Sequence, residues 1–468
     1  MDYEVCVIGA GTAGYVAAIR AAQLGAKVLL VEKGDLGGVC LNRGCIPTKT
    51  LLKSAEKWQE LQHCEEYGLF ISEYAYDWEK VMERKNNVIY QLRSGVEKLL
   101  KANKVEVVDG SAHFVDQHSI HLVTDNPDHE RTITADKIII ATGSKPAMPP
   151  IPGGDTTGVI NSDEILRLGE VPESIIIIGA GAVGIEFAGI YANFGCAVTV
   201  VEMAPTVLPL SDSDLQKRMA LALRKQYITT KTGAMVKGIK RGLEGLDVTL
   251  ELKGKTEVIS AEKVLVATGR VPVMATEELT KLGVDYTKRG ITVNAKMETS
   301  VAGIYAIGDV TGLSMLAHSA AHQGLVAAEN VCGGQRTMDY NAIPSCIFTS
   351  PEIAAVGLTE QECVAAGKEI VINKFNFAGN GKAITMGQTE GLVKFIADKN
   401  THEIIGCHIM GAHASDLIME GVVAVTNHLT AEELDRCIHP HPTLSEACGE
   451  ALMGLFGNMV HQVNAKKA

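Results

Sequence analysis

The sequence predicts an α/β chain in which one strand–turn–helix–strand unit occurs twice and is followed by a smaller α+β domain. Three observations predict it. The stretches "VCVIGAGTAGYVAAIRAAQLGAKVLLVEKG" and "IIIIGAGAVGIEFAGIYANFGCAVTVVEMA" each run from an apolar strand through a glycine turn and a helix to a second strand ending in a glutamate. Two further apolar strands, "IIIATGSKP" and "VLVATGRVP", end in the same short turn and read as the matching closing strands of the two copies. From about residue 345 the pattern changes: "EGLVKFIAD" and "EIIGCHIMG" read as strands, "ASDLIMEGVVAVTNHL" as helix, and no glycine fingerprint accompanies them.

Composition bounds the rest. At 468 residues the chain exceeds what one core usually supports, and 46% hydrophobic with 21% charged residues describes folded domains rather than a disordered or fibrous chain. The formal charge of −12 gives no electrostatic footprint for nucleic acid or an anionic membrane, so neither is expected as a partner. Met1-Asp2-Tyr3-Glu4 leads straight into the strand Val5-Cys6-Val7-Ile8 without the basic segment and apolar core of a signal peptide, and export is not expected. The apolar run Ile175 to Phe194 is long enough to resemble a membrane span, but Glu186 and Asn193 interrupt it and glycines cluster near its start. It reads as strand, turn and helix. The 11 cysteines are odd in number and scattered, unlike the framework of a secreted domain. A reducing, cytoplasmic setting follows, in which a persistent disulfide is more often catalytic than structural.

In chain order, the first unit carries Gly9-x-Gly11-x-x-Gly14 and Glu32, and the second Gly179, Gly181, Gly184 and Glu202. Glycines at these positions let the backbone turn tightly and approach a pyrophosphate at the helix N-terminus, while the carboxylate accepts from a ribose hydroxyl. A lone fingerprint of this kind is weak. Here the glutamate follows the first glycine by 23 residues in both copies, and both read as adenine-dinucleotide sites. Glu202, followed by Met203-Ala204-Pro205-Thr206 with no arginine, favours a free 2′-hydroxyl and hence NAD over NADP. "PAMPPIPGG", Pro146 to Gly154, is a natural linker, and "GIYAIGDV" is a buried strand ending in Gly308-Asp309, where an acid commonly faces a ligand.

Two motifs remain. "GGVCLNRGCIPTK", Gly37 to Lys49, sets two cysteines five positions apart, which admits a zinc clip, a buried structural thiol or a redox pair. Zinc clips usually hold their cysteines closer and repeat the clip elsewhere, and no metal is expected. Near the end, "HPHPTLSEACGEALM" places two histidines, His439 and His441, around a proline just before a helix.

With these motifs in this order, the chain resembles the pyridine nucleotide-disulfide oxidoreductases from end to end. The resemblance implies two Rossmann-like domains, binding FAD and NAD, plus a C-terminal α+β dimerisation domain of a homodimer. Residues 1–147 would form the first part of the FAD-binding domain, 148–272 the NAD-binding domain, 273–343 a central segment completing the FAD site, and 344–468 the dimerisation domain. It assigns to FAD the residues Gly9, Gly11, Gly14, Glu32, Lys33, Gly38, Lys49, Ala112, Thr142, Gly143, Asp309, Met315, Leu316, Ala317 and His318. Within that set Glu32 would hold the adenosine ribose, Lys49 would lie near the flavin N5, and Asp309 would bind the ribityl chain. Gly179, Gly181, Gly184, Glu186, Glu202, Val236 and Gly269 fall to NAD, with Glu186 paired to Lys49 where the hydride passes.

The same resemblance makes Cys40 and Cys45 a catalytic disulfide and His441, oriented by Glu446, the base that deprotonates a dithiol substrate in the other subunit's site. That substrate would be a lipoyl-bearing protein of a 2-oxoacid dehydrogenase, glycine cleavage or acetoin complex. Five residues along a regular helix advance roughly 7.5 Å and turn about 140°, too far for a disulfide, so the segment must be distorted if the pair closes. Gly44 lowers the cost, and Pro47 lacks the amide that would bond back to Arg43. Two departures from the family pattern are Arg43, where relatives carry a small apolar residue, and Pro440, where alanine is usual. A glutathione-reductase-like activity is the enzymatic alternative, opposed by Glu202, and a non-catalytic flavoprotein subunit is the other, opposed by the retained cysteines and His441. The tail "GNMVHQVNAKKA" has no second cysteine pair of the kind mercuric and large thioredoxin reductases use.

Overall fold

The computed structural model describes residues 1–463; the last five positions of the tail just quoted lie outside the described residues. The chain divides into two compact units, the first made of Met1–Pro149, Ile160–Glu170 and Thr268–Asp339, the second of Pro150–Val159, Val171–Ala267 and the chain from Tyr340 on.

In the first unit, strand β1 (Tyr3–Ile8) pairs in parallel with β2 (Val28–Glu32) on one side and with Arg131–Ile140 on the other. Their apolar runs are continuous rather than alternating, as strands covered on both faces require, and Val5, Cys6, Val7, Leu29 and Leu30 are all buried. Glu106–Asp109 extends the sheet beyond β2, and Ile304–Ala306 joins the far side of Arg131–Ile140 in parallel. Thus a strand from late in the sequence completes the sheet begun at residue 3. Helix α1 (Thr12–Gln23) presents Ala13, Ala17, Ala18 and Ala21 to the interior. These small side chains admit the Ala317–Val331 helix so closely that a Cβ on its Gly324 would lie 2.6 Å from the Ala13 carbonyl oxygen.

The second unit repeats the plan. Ser174–Ile178 pairs in parallel with Ala197–Glu202 and with Lys263–Val266, and Thr229–Thr232 extends it. The apolar run from Ile175 resolves into that strand, a Gly179–Gly181 turn and the helix Ala182–Asn193, and no helix among the described residues is long and apolar enough to cross a membrane. An antiparallel three-stranded sheet, Ala234–Arg241, Leu246–Leu252 and Lys255–Ala261, packs on it through Leu246, Val248 and Leu250. The C-terminal part is an antiparallel five-stranded sheet in the order Ser345–Ile347, Glu352–Gly357, Ile404–Gly411, Leu392–Asp398, Ile370–Asn376. The segment after it forms the helices Ala414–Leu417 and Met419–Thr426, and Glu446–Met453 follows, closing a core that contains Phe375, Phe377 and Phe395.

Candidate active site

Cys40 and Cys45 are joined as a disulfide with Cα atoms 4.7 Å apart. The distortion that closure demands is a clean break: helix α2 (Gly38–Arg43) ends and helix α3 (Cys45–Gln62) begins on either side of Gly44. A Cβ on Gly44 would sit 2.9 Å from the Val39 carbonyl oxygen and 3.3 Å from Cys40 Cα, so glycine is required for the two segments to approach. The Gly44 carbonyl then accepts from both the Thr48 amide, at 3.2 Å, and the Thr48 hydroxyl, at 2.6 Å, which starts the second helix. Lys49 follows, half-buried in α3. At the other end Gly38 packs on the first glycine turn, where a Cβ would meet Gly11 Cα at 2.6 Å.

The two glycine turns match bond for bond. Gly9 and Gly179 have φ of 103° and 110°, left-handed values that favour glycine. A Cβ on Gly14 would lie 1.8 Å from the Gly9 carbonyl oxygen and one on Gly184 2.0 Å from that of Gly179, so the third glycine of each copy lets helix and strand pack. Gly11 and Gly181 differ. Their φ values, −66° and −75°, suit any residue, and a Cβ would reach nothing nearer than 4.0 Å. Each caps its helix without a side-chain bond, so the first amides of each helix have no capping side chain. This is the fit expected of a pyrophosphate cradle. Glu32 accepts from the amides of Ala10 at 2.6 Å and Gly34 at 2.9 Å, and Glu202 from those of Ala180 at 2.7 Å and Ala204 at 2.8 Å. Lys33 beside Glu32 is exposed. Ala112 and Val236 also correspond: each lies on a strand shortly after a glycine, Gly110 or Gly233, whose amide bonds the Glu32 or Ala204 carbonyl at 2.8 Å.

The two Ala-Thr-Gly turns meet. Ser144–Pro146 pairs antiparallel with Arg270–Pro272, Thr142 Oγ1 donates to the Val273 carbonyl at 2.6 Å, and the Gly269 carbonyl accepts from Ala147 at 2.9 Å. Gly143 and Gly269 hold left-handed φ of 70° and 110°. Asp309 is brought to the same place, since Ser144 Oγ donates to its Oδ2 at 2.5 Å and receives Arg270 Nε at 2.7 Å. Burial lowers the pKa of Arg270 from its ordinary value, and the Asp163 and Asp309 carboxylates oppose that shift. Met315 and Leu316 lead into the helix that starts at Ala317-His318. Sequence reading missed Ser144, Asp163 and Arg270; only the Arg after the second Ala-Thr-Gly turn carried a signal.

In the second unit, Glu186 is buried on its helix and accepts the Phe348 amide at 2.9 Å. His441 stands 80% exposed with Nδ1 2.8 Å from Glu446 Oε1, while Glu446 Oε2 accepts the Thr443 amide at 2.8 Å. Burial pushes the Glu446 carboxyl up, but the Thr443 amide and the His441 ring hold it below the usual carboxylate range. The carboxylate thereby fixes the ring through Nδ1 and leaves most of the side chain exposed. His439 lies inward, 3.0 Å from Glu420 and against Gly449.

Comparison with known proteins agrees with this geometry. Residues 3–324 match the pyridine nucleotide-disulphide oxidoreductase family model and residues 343–452 that family's dimerisation domain. The dihydrolipoyl dehydrogenase of Geobacillus stearothermophilus is 42% identical over 462 residues, 98% of either chain, and that of Thermus scotoductus 42% identical over 467 residues, 99% of either chain. Among solved structures, LpdA of Mycobacterium tuberculosis superposes with a TM-score of 0.89 at 27% identity, covering 97% of this chain and 99% of that one. The HOCl-induced flavoprotein disulfide reductase RclA of Escherichia coli gives 0.85 at 29% identity, covering 96% and 99%. The chain belongs to the pyridine nucleotide-disulphide oxidoreductase family, and it is a flavoprotein disulfide oxidoreductase by fold and by its redox disulfide.

Proposed function

We propose that this protein oxidises protein-bound dihydrolipoamide to lipoamide and reduces NAD to NADH, as a homodimer that binds FAD in the first unit. The observation that carries this reading is the Cys40–Cys45 disulfide at a helix break whose first segment packs on a pyrophosphate-type turn, in a chain 42% identical to dihydrolipoyl dehydrogenases along its whole length.

The chain's own residues would divide the work as follows. His441 Nε2 takes the proton from a substrate thiol, with Glu446 holding Nδ1. The thiolate attacks Cys40 and expels Cys45 as a thiolate; the substrate's second thiol then displaces Cys40, which leaves lipoamide and the reduced pair. When bound, FAD supplies the two-electron relay from that pair to NAD. Glu32, Asp309 and the turn at Gly9–Gly14 support binding of the flavin dinucleotide, and Glu202 with the turn at Gly179–Gly184 supports NAD over NADP. Lys49 and Glu186 would each serve the hydride transfer. Eleven cysteines, odd in number and scattered along the chain, suit a reducing cytoplasm, and the partner would be the lipoyl arm of a 2-oxoacid dehydrogenase, glycine cleavage or acetoin complex.

The test is the initial rate of NAD reduction by dihydrolipoamide, with NADP and a Cys45→Ser variant in parallel. A rate with NAD that vanishes in the variant is expected. No rate from a dimer carrying FAD overturns the assignment.

A further inference from the structure

Between the cysteines stands Arg43, and its surroundings give it a use. It is the last residue of α2, three positions after Cys40, so their Cβ atoms share a helix face about 5–6 Å apart. Its Nε lies 3.4 Å from Asp163 Oδ2, with 44% of the Arg43 and 21% of the Asp163 side chain exposed. Asp163 is itself held in place, its amide bonded to Asn161 Oδ1 at 2.8 Å, and its Oδ1 lies 3.8 Å from Arg270 Nη1. Arg270 in turn bonds Ser144 through Nε at 2.7 Å and Nη2 at 2.9 Å, and Ser144 bonds Asp309. One carboxylate therefore sits between two guanidiniums, one reaching the redox segment and the other the Asp309 site.

We infer that Arg43 and Asp163 are positioning residues that set the reduction potential of the Cys40–Cys45 pair, Arg43 as the cation and Asp163 as its partial counter-charge. The inference rests on the reading of that pair as the redox centre. Reduction breaks the S–S bond with two electrons and two protons, and at neutral pH one of the two sulfurs can lose its proton to solvent and remain a thiolate. A cation carried on the same helix face as Cys40 stabilises the thiolate and therefore the reduced form, which raises the potential; the carboxylate 3.4 Å from it offsets part of that effect. Substitutions at the two positions must then act in opposite directions, which a purely structural role would not produce.

The experiment equilibrates the FAD-bound enzyme in reduced and oxidised dithiothreitol, which donates the two electrons and closes to its own disulfide, and counts alkylated Cys40 and Cys45 by mass. Arg43→Val should require about a threefold to tenfold higher ratio of reduced to oxidised dithiothreitol for half reduction, the tenfold limit being about 30 mV. Asp163→Asn should shift the midpoint a fewfold the other way, and Arg43→Lys should stay within about twofold of the unmodified protein. Salt gives a second reading that needs no variant, because about 1 M KCl should move the unmodified protein toward the Arg43→Val midpoint by screening. Shifts of the same sign for Arg43→Val and Asp163→Asn, or a midpoint unmoved by both Arg43→Val and salt, overturn the inference while leaving the redox pair intact. A pair that never reduces overturns the underlying reading instead.

Discussion

Replacing Lys394 by methionine should destabilise the second unit strongly at neutral pH and much less in acid. Lys394 is fully buried in the strand Leu392–Asp398, and its ammonium contacts Asp212 at 2.8 and 2.9 Å, Asp214 at 2.8 Å and Glu360 at 2.6 Å. Asp212 is as buried as the lysine and caps the helix Ser213–Lys225 of the dinucleotide-binding part, so the cluster ties that helix to the C-terminal sheet. Lys374 reaches Asp214 at 2.7 Å, which leaves two cations facing three carboxylates. His408, opposite Lys394 in the adjacent strand, is pushed down by burial and adds no positive charge at neutral pH. Removing one partner of a buried pair costs about 3–5 kcal/mol, because the other charge stays buried. Glu360 and Asp214 are partly exposed, so the low end, about 3 kcal/mol, is expected here.

The pH dependence follows from the carboxylates. Burial pushes Asp214 up, yet its bonds to Lys374 and Lys394 hold it at about 2 against an ordinary 3.8; burial likewise pushes Asp212 up, and Lys394 with the amides of Glu360 and Asp214 holds it down. A depressed carboxylate contributes stability that is present above its unfolded value and is lost as pH falls through its folded value, here between about 4 and 2. Without Lys394 those carboxyls rise and protonate first, so the variant's deficit closes as pH drops toward that window. The assay is thermal unfolding of both proteins at pH 7 and pH 4. A loss on the order of 10 °C at pH 7 is expected, shrinking at pH 4. Methionine fills the space of the lysine stem, so an equal loss at both pH values, or one under about 3 °C at pH 7, would refute the electrostatic account.

Gly181→Ala and Gly184→Ala should separate ligand from packing. The first should raise KM for NAD about tenfold with Tm unchanged, since its Cβ meets no protein atom, and the second should lower Tm through its 2.0 Å clash with the Gly179 oxygen; steady-state kinetics with thermal melts check both. His441→Gln should lower kcat with dihydrolipoamide by about 10²–10⁴ without changing the melt, because the ring is exposed and only its proton transfer is lost. Gly44→Ala should cost about 1–3 kcal/mol and slow reoxidation of the cysteine pair, measured by thiol trapping after reduction.

The parts legible in the sequence were those fixed by neighbours close along the chain. The glycine turns, the strand–turn–helix reading of Ile175 to Phe194, and the break that Gly44 permits depend on backbone geometry within a few residues. Asp163, Ser144 and Lys394 were not legible for the opposite reason. Lys394 sits in a run that reads simply as an apolar strand, and its partners are 182, 180 and 34 residues away, so nothing local marks it as buried. Asp163 occupies an irregular stretch of an "NSDE" kind found on any surface, and only the folded chain brings it to Arg43 and Arg270.

The recurring glutamate needs a stricter reading than its offset invites. Glu32 and Glu202 each receive two backbone amides, one from the glycine turn and one from the loop after the second strand, so each straps those loops together whether or not a nucleotide is present. An acid at that offset would therefore survive in a copy that had lost its ligand, and its recurrence argues for duplication of the fold more than for two bound dinucleotides. Gly9, Gly14, Gly179 and Gly184 are likewise explained by φ or by contact with protein atoms. Gly11 and Gly181 are not, since their backbone suits any residue and their missing Cβ atoms would meet nothing closer than 4.0 Å. Free of any folding requirement, glycine at these two places is accounted for by a group that must lie against the backbone there, and that makes the middle glycine of each turn the strongest single argument that both cradles hold a pyrophosphate.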